Sequence, residues 1–178
     1  MEPQLTDVAP TDLAFRKVEP DDDLSNLDFT QEDNTDEAGL VEFITREALD
    51  YQNERLGITY VFFYRLSPIA FVTLSMADIP VKEMTQDEKV DAAEQLREYS
   101  CLLVGRLGVD KTFRERHVGS YICDWVTEKA RRLSEDVGCR YIVARAVKES
   151  VGFYSKCRFQ CNMEHLGKPR VWMYKRLI

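Results

Sequence analysis

The chain has 178 residues, of which 44% are hydrophobic and 31% are charged, and its formal net charge is −7 at pH 7. This is the composition of an ordinary globular domain and excludes a disordered chain, a fibre and a disulfide-stapled miniprotein. No apolar run approaches the ~20 residues that span a bilayer, and the N-terminus shows no basic region followed by an apolar stretch. We therefore expect one cytoplasmic domain, residues 1–178, without membrane contact.

The first half of the chain predicts strands and one helix. In chain order these are a strand at 13–18, a helix at 36–55, a hairpin of strands at 58–66 and 69–76, and a polar surface excursion at 77–98. The helix has apolar side chains at helical spacing, Thr35 or Asp36 as its N-cap and Gly57 as its stop. Ser67 and Pro68 predict the hairpin turn. The excursion contains a charged, helix-like stretch at 86–97.

The second half alternates strands with helices. In chain order we expect a strand at 101–109, a turn at 110–116, a helix at 118–137 closed by Gly138, a strand at 141–146, a short helix at 150–157 and a closing strand at 171–178. This alternation implies parallel pairing by right-handed crossover, whereas the hairpin adds antiparallel strands. The predicted fold class is α/β with α+β character, a central mixed sheet flanked by helices on both faces.

Charge is unevenly distributed along the chain. Residues 1–50 carry three basic and fifteen acidic side chains, and residues 101–178 carry sixteen basic and eight acidic ones. We interpret the acidic segment, about residues 1–35, as solvated. The basic C-terminal half attracts phosphates, so a phosphorylated cofactor and nucleic acid are both candidates, although the overall negative charge weighs against nucleic acid.

Five cysteines form no even, closely spaced framework, so we expect free thiols. Cys157, Cys161 and His165 have a spacing that suggests a metal site. They supply three ligands rather than four, however, and Phe159 between the cysteines lies in an apparent strand. We therefore predict no metal.

The stretch LGVDKTFRERHVG, residues 107–119, carries the strongest chemical signal. A buried strand runs into a tight turn that opens a helix, so unpaired backbone N–H groups and the helix dipole converge on one point. Such a turn binds anions. Gly119 allows close approach of the backbone, Ser120 adds a hydroxyl, and Arg114 and Arg116 add charge. The alternative is an ordinary strand–helix turn with solvated arginines.

Residues 114–119, which read R-E-R-H-V-G, resemble the pyrophosphate loop of the GCN5-related N-acetyltransferases (GNAT), Arg/Gln-x-x-Gly-x-Gly/Ala. The preceding strand LLVGRLGVD is also similar to that family. Residues 152–159, G-F-Y-S-K-C-R-F, resemble the family segment FYxxxGF, with Cys157-Arg158-Phe159 where Gly-Phe is usual. His117 stands at the first glycine of the loop. We expect its side chain to point outward or to donate to the phosphate; the alternative is a damaged or repurposed cofactor site.

The resemblance implies an acetyl-CoA-dependent N-acetyltransferase, an acyltransferase in which an amine attacks the thioester directly in a ternary complex. The pantetheine arm would pair with the strand at Leu107 and Val109, and the strand at 141–146 would splay away. By resemblance, Tyr154 is the acid that protonates the departing thiolate. The pyrophosphate would bind at the start of the helix, on Arg116, His117, Val118, Gly119 and Ser120, with Arg114 beside them.

The acceptor and the general base stay open at this stage. Glu98 and His165 are candidates for the base, but an exposed charge at the end of a polar helix and an ordinary loop histidine are the simpler interpretations. The acceptor is expected to be a small-molecule or peptide amine, and the acidic N-terminal half favours a cationic one. The layout is also similar to acetyltransferase toxins that modify aminoacyl-tRNA, and a non-catalytic module that binds coenzyme A or a partner is a third reading. A homodimer is compatible with the family.

Overall fold

The computed structural model describes residues 7–31, 35–36, 38–91 and 95–177. Its strands form one six-stranded sheet in the order β1 to β6. They are β1 (Leu13–Lys17), β2 (Ile58–Tyr64), β3 (Ser67–Pro80), β4 (Glu98–Val109), β5 (Tyr141–Val147) and β6 (Arg170–Arg176). The pairs β1–β2, β2–β3 and β5–β6 are antiparallel, and β4–β5 is parallel. The predicted mixed sheet is confirmed. Parallel pairing of the last strand was wrong, because β6 returns antiparallel to β5.

Among the residues that the structure describes, three helices accompany the sheet. The first, α1, consists of Leu40–Glu42, a wider π-helical segment Phe43–Glu47, and Ala48–Asn53. The other two are α2 (Val118–Asp136) and α3 (Lys148–Lys156). The helix predicted at 36–55 starts at Leu40, after Gly39, and the Asp36 carboxylate accepts from the backbone N–H groups of Leu40 and Val41 at 3.0 and 2.8 Å. None of the described helices combines the length and apolar character that crossing a bilayer requires.

The turn of the β2–β3 hairpin lies two residues earlier than predicted. Arg65 and Leu66 take the positive φ values of 47° and 69°, the left-handed pair that a two-residue hairpin turn requires, and Ser67 already begins β3. Neither residue is a glycine or asparagine, so local sequence favoured the Ser67-Pro68 site instead. The predicted position of the turn was therefore wrong by two residues.

The excursion at 77–98 is more deeply anchored than predicted. The strand β3 continues to Pro80, and two short 3₁₀ turns follow at Val81–Glu83 and Gln86–Glu88. The helix expected at 86–97 is wrong for the described residues, while 92–94 lie outside them. Tertiary hydrogen bonds replace it: the Tyr141 hydroxyl donates to the buried Glu88 carboxylate at 2.8 Å, and the Thr85 N–H donates to the Tyr174 hydroxyl at 3.1 Å.

Two compact units can be separated within the chain. Unit 1 comprises Met1–Leu74 with Gly105–Ile122, and unit 2 comprises Ser75–Val104 with Cys123–Ile178. The core of unit 1 is built from apolar residues of the N-terminal segment, α1, β2 and β3, with Phe29, Phe43 and Phe71 at its centre. The core of unit 2 surrounds three tyrosines, Tyr99, Tyr141 and Tyr174, with Ile79 and Met84 from the excursion.

Candidate functional site

The strand β4 continues well past its pairing with β5. The parallel register runs from Cys101–Tyr141 to Val104–Ala144, whereas β4 itself extends to Val109. Leu107 and Val109, the residues expected to bind the pantetheine arm, belong to this extension and are both half-buried. The backbone of the extension is thus outside the described β4–β5 ladder.

Gly108 allows the β4 extension, residues 105–109, to pack closely against two aromatic rings. A Cβ atom at this position would lie 2.8 Å from a ring carbon of Phe71 and 2.9 Å from one of Phe29. Neither ring is free to move, because both are buried in the core of unit 1 and pack edge-to-face with centroids 5.3 Å apart. The glycine therefore brings the strand close to these rings, which sets the starting point of the turn that follows.

Two Asp-x-Thr segments, 28–30 and 110–112, hold that turn in place, and we call the pair the clamp. Asp110 accepts from the N–H and hydroxyl of Thr112 at 2.9 and 2.6 Å, and Asp28 accepts from the same groups of Thr30 at 2.9 and 2.7 Å. The segments also bind each other. The Asp28 N–H donates to the Asp110 carboxylate at 2.9 Å, the Lys111 N–H donates to the Asp28 carbonyl at 2.8 Å, and the Lys111 ammonium pairs with the Asp28 carboxylate.

Sequence reasoning missed this clamp, because it assigned Asp28 to a solvated acidic segment. The two Asp-x-Thr patterns, Asp28–Thr30 and Asp110–Thr112, were the available signal. The Lys111 ammonium and the Thr30 hydroxyl lower the pKa of Asp28 below its usual value, because both stabilise the ionised carboxylate.

The loop after the clamp adopts the backbone geometry that glycine favours. Glu115 and His117 have φ values of 57° and 61°, in the left-handed region, and α2 begins directly afterwards at Val118. By the resemblance noted above, His117 stands where the loop motif has its first glycine. Its side chain is 72% exposed, with Nε2 3.7 Å from the Asp7 carboxylate, so it points outward. The backbone at this position needs a positive φ, which glycine adopts without steric cost, and this requirement accounts for the usual glycine.

The side chains of the remaining loop residues are engaged in contacts within the protein. The Arg114 guanidinium donates to the carbonyls of Phe29 and Thr30 at 2.7 and 2.9 Å, so it secures the clamp. Arg116 lies over the Phe113 ring, with its guanidinium carbon 4.8 Å from the centroid. The Ser120 hydroxyl donates to the His117 carbonyl at 2.9 Å, and the Val118 side chain is buried. What these positions offer jointly is the set of backbone N–H groups in the first turn of α2.

Tyr154 lies in unit 2, near the C-terminal end of α3. The helix ends in a Schellman motif, in which the Phe159 N–H donates to the Tyr154 carbonyl and the Arg158 N–H to the Ser155 carbonyl, both at 3.0 Å. Arg158 is the left-handed residue of the motif, with φ of 66°. The geometry fits the Gly-Phe pattern of the segment that this stretch resembles, because the position of Arg158 has positive φ and Phe159 packs on Tyr154.

The Tyr154 phenol is buried among aromatic rings and thiols. Its side chain is 7% exposed, with ring centroids 5.1 Å from Phe153 and 5.3 Å from Phe159. Burial raises the pKa of Tyr154 above its usual value, and the thiols of Cys123 and Cys157 raise it further. Tyr154 therefore keeps its proton throughout the neutral pH range.

The other candidates have plainer surroundings. Glu98 is exposed at the start of β4. His165 Nδ1 lies 2.9 Å from the Glu83 carboxylate, and the Lys168 ammonium lies 2.9 Å from the same carboxylate oxygen. All five cysteines are free, and no group of three or more His, Cys, Asp or Glu side chains within the described ranges is placed to hold a metal ion.

No protein-family model and no curated protein matches the chain. Among solved structures, the chain is similar to a tyrosine-to-phenylalanine mutant of KacT, with a TM-score of 0.76 and 14% identity over 93% of this chain and 95% of that one. It is also similar to AtaT complexed with acetyl-methionyl-tRNAfMet, with a TM-score of 0.75 and 14% identity over 93% and 95% of the two chains.

A third similar structure is AtaTR bound with acetyl-CoA, with a TM-score of 0.73 and 15% identity over 94% of this chain and 95% of that one. AtaT is described as a toxin. Identities this low show the fold alone. The chain has the fold of the GCN5-related N-acetyltransferases.

Proposed function

We propose that this chain is an acetyl-CoA-dependent N-acetyltransferase. The observation that carries the proposal is the run of structure in unit 1 from the β4 extension, through the left-handed His117, into the start of α2. An extended strand that continues beyond the β4–β5 ladder can accept an added strand-like ligand along that edge. A helix start that is reached through a tight turn binds phosphate.

The residues of the loop fit the pyrophosphate of the donor. The first turn of α2 supplies backbone N–H groups, and the outward side chain of His117 leaves the approach to them clear. Arg116 adds charge beside them, whereas Arg114 acts indirectly by fixing the clamp. Acetyl-CoA supplies the acetyl group as an activated thioester. The backbone of Leu107 and Val109 would pair with its pantetheine arm.

Tyr154 is the proposed general acid. The amine nitrogen of the acceptor forms a bond to the acetyl carbon, the bond from that carbon to sulfur breaks, and the amine gives up its proton to solvent. Tyr154 donates its own proton to the departing sulfur and regains one from solvent afterwards. The phenol is protonated before each turnover, because burial raises its pKa, so the proton that the step needs is present at its start.

We propose the α-amine of aminoacyl-tRNA as the acceptor. An α-amine with a pKa of ~7.7–8.0 is about 10–20% neutral at pH 7, against roughly 0.04% for a lysine amine at ~10.4. An α-amine therefore needs little help from a base, which suits a chain whose two base candidates are an exposed Glu98 and a His165 paired with Glu83. The AtaT structure with acetyl-methionyl-tRNAfMet supports the same choice.

The acidic N-terminal half favours a second candidate acceptor, a cationic amine such as a polyamine or a lysine peptide. Fifteen acidic side chains lie in residues 1–50 against three basic ones. Such an acceptor would be attracted by the opposite charge.

The first test is thermal unfolding with and without acetyl-CoA. At ~100-fold over its dissociation constant the ligand contributes about 2.7 kcal/mol, which raises the Tm of a domain this size by about 5–10 °C. Release of free thiol is then followed with aminoacyl-tRNA, a polyamine and a lysine peptide. A Tm rise without thiol release from any acceptor would favour a non-catalytic module that binds coenzyme A, and absence of both would favour a module that binds a partner.

Tyr154→Phe should keep the Tm rise and lose turnover by about 10²–10⁴-fold, because only the proton donor is removed. Tyr64→Phe is the matched control, since Tyr64 packs on Phe113 in unit 1 with ring centroids 5.7 Å apart and has no assigned chemical role. Unchanged turnover in Tyr154→Phe would refute the assignment of the acid.

A further inference from the structure

Arg106 is a cation of the β4 extension whose N–H groups have no protein acceptor within the described ranges. Its guanidinium carbon lies 3.9 Å from the centroid of the Phe43 ring and 5.6 Å from that of Tyr51. These stacking contacts are its interactions with the described side chains, and its side chain is half-buried. A half-buried guanidinium that pairs with no carboxylate of the described residues is unusual, because buried polar groups normally have hydrogen-bond partners.

The two aromatic rings hold the guanidinium in one orientation. Phe43 and Tyr51 belong to α1 and pack edge-to-face, with centroids 5.3 Å apart and an interplanar angle of 85°. Phe43 is 1% exposed and opens the π-helical segment of that helix, a local widening that often accompanies functional sites. Stacking occupies a face of the guanidinium and leaves the in-plane N–H donors available.

We infer that Arg106 binds a phosphate of the acceptor RNA. Its in-plane donors form a fork that matches phosphate oxygens in two-point contact. Arg106 directly precedes Leu107, where the donor's pantetheine arm is proposed to lie, and that arm carries no charge. The donor's pyrophosphate is assigned to the start of α2, and its 3′-phosphate lies beyond that pyrophosphate, on the side away from the pantetheine arm. The anion bound by Arg106 is therefore assigned to the second substrate. An amine joined to a phosphate-bearing chain satisfies this requirement.

This inference rests on the proposed function and deepens it, because it makes Arg106 a specificity residue for a nucleic-acid acceptor. The test measures binding of aminoacylated bulk tRNA in the presence of coenzyme A, so that no transfer occurs. Wild type, Arg106→Gln, Arg106→Lys and Arg65→Gln are compared between about 50 and 200 mM salt. Arg65 is the matched control, since it also stacks on an aromatic ring, 5.1 Å from the centroid of Tyr64, but lies exposed in the hairpin turn.

Arg106→Gln should weaken tRNA binding and reduce the slope of log affinity against log salt by about 0.7–0.9, the value of one phosphate contact. The ratio of wild-type to Arg106→Gln affinity for tRNA therefore falls about threefold between the lower and the higher salt concentration. Arg106→Lys should retain the slope with reduced affinity, because it keeps the charge and loses the fork. Arg65→Gln should leave both quantities unchanged. A purely structural role for Arg106 would not change the salt slope.

The possible failures are distinguishable. If wild type binds and acetylates aminoacyl-tRNA while Arg106→Gln keeps the full salt slope, or if Arg65→Gln lowers the slope equally, the inference alone is overturned. If wild type gains the Tm rise with acetyl-CoA and releases thiol with another amine but binds no tRNA, the tRNA acceptor and the inference both fail and the acetyltransferase proposal stands. A rise in KM for a free amino acid in Arg106→Gln, without tRNA binding, would overturn the phosphate and assign a carboxylate.

Discussion

Replacement of His117 by glycine tests the backbone account of the loop directly. His117 has φ of 61°, which an L-residue adopts with difficulty, and its side chain is exposed. The substitution therefore relieves backbone strain without emptying a packed site. Because the proposed phosphate contacts come from backbone N–H groups, the variant keeps all of them.

The expected gain in stability follows from two opposing effects. Left-handed backbone costs a non-glycine residue roughly 1–2 kcal/mol, whereas a glycine loses about 0.5–1 kcal/mol more chain entropy on folding. The exposed contact between His117 and Asp7 contributes little, because solvent screens it. The net change is a stabilisation of about 0.5–1 kcal/mol, which raises Tm by about 1–4 °C.

The assay is thermal unfolding of wild type and His117→Gly, each with and without acetyl-CoA. Arg158→Gly is the matched control, since Arg158 is also left-handed and exposed but lies in the Schellman motif of unit 2. Both variants should unfold at higher temperature, and both should keep the full ligand-induced rise. The reasoning is refuted if His117→Gly unfolds earlier or loses the rise while Arg158→Gly does not, because the imidazole would then be a ligand group.

Two further predictions concern the segments that position the loop. Gly108→Ala should lower the free energy of unfolding by about 1–3 kcal/mol in urea denaturation, because its methyl group meets Phe29 and Phe71. Gly152→Ala, with nothing within 4 Å, should stabilise α3, and equal midpoints for the two variants would contradict this packing. The lowered pKa of Asp28 means that its contribution to stability is complete above its unfolded value near ~3.9 and is lost as pH falls through the lower folded value. Asp28→Asn should therefore show a shallower acid limb of stability against pH than wild type, and identical limbs would refute the clamp.

Much of the fold was predictable because its signals are local. The strand at 101–109 is an apolar run, and the helix at 118–137 has apolar residues on one side; the structure has β4 and α2 there. The hairpin turn was not predictable in the same way. Arg65 and Leu66 are poor turn residues, and the pairing of β2 with β3, not local preference, places them at positive φ.

In the candidate site, too, local features were predictable from the sequence and long-range contacts were not. The loop motif and the tyrosine segment are short patterns in the sequence, so Arg116, His117 and Tyr154 could be named from them. The clamp between Asp28 and Asp110 joins residues far apart in the chain, and the use of Arg114 in securing it depends on that contact. Long-range hydrogen bonds of this kind leave only weak traces in a single sequence.

The sequence by itself determined most of the order of elements, the strand–turn–helix at which we propose an anion binds, and the position of the tyrosine, because each rests on the spacing of neighbouring residues. Only the tertiary structure decided that β6 is antiparallel, that Glu88 of the excursion is buried and accepts from Tyr141, and that Arg106 stacks on α1 with its donors available. The physical reason is that these features depend on contacts between distant segments, whose free energy exceeds the local preferences of the residues involved.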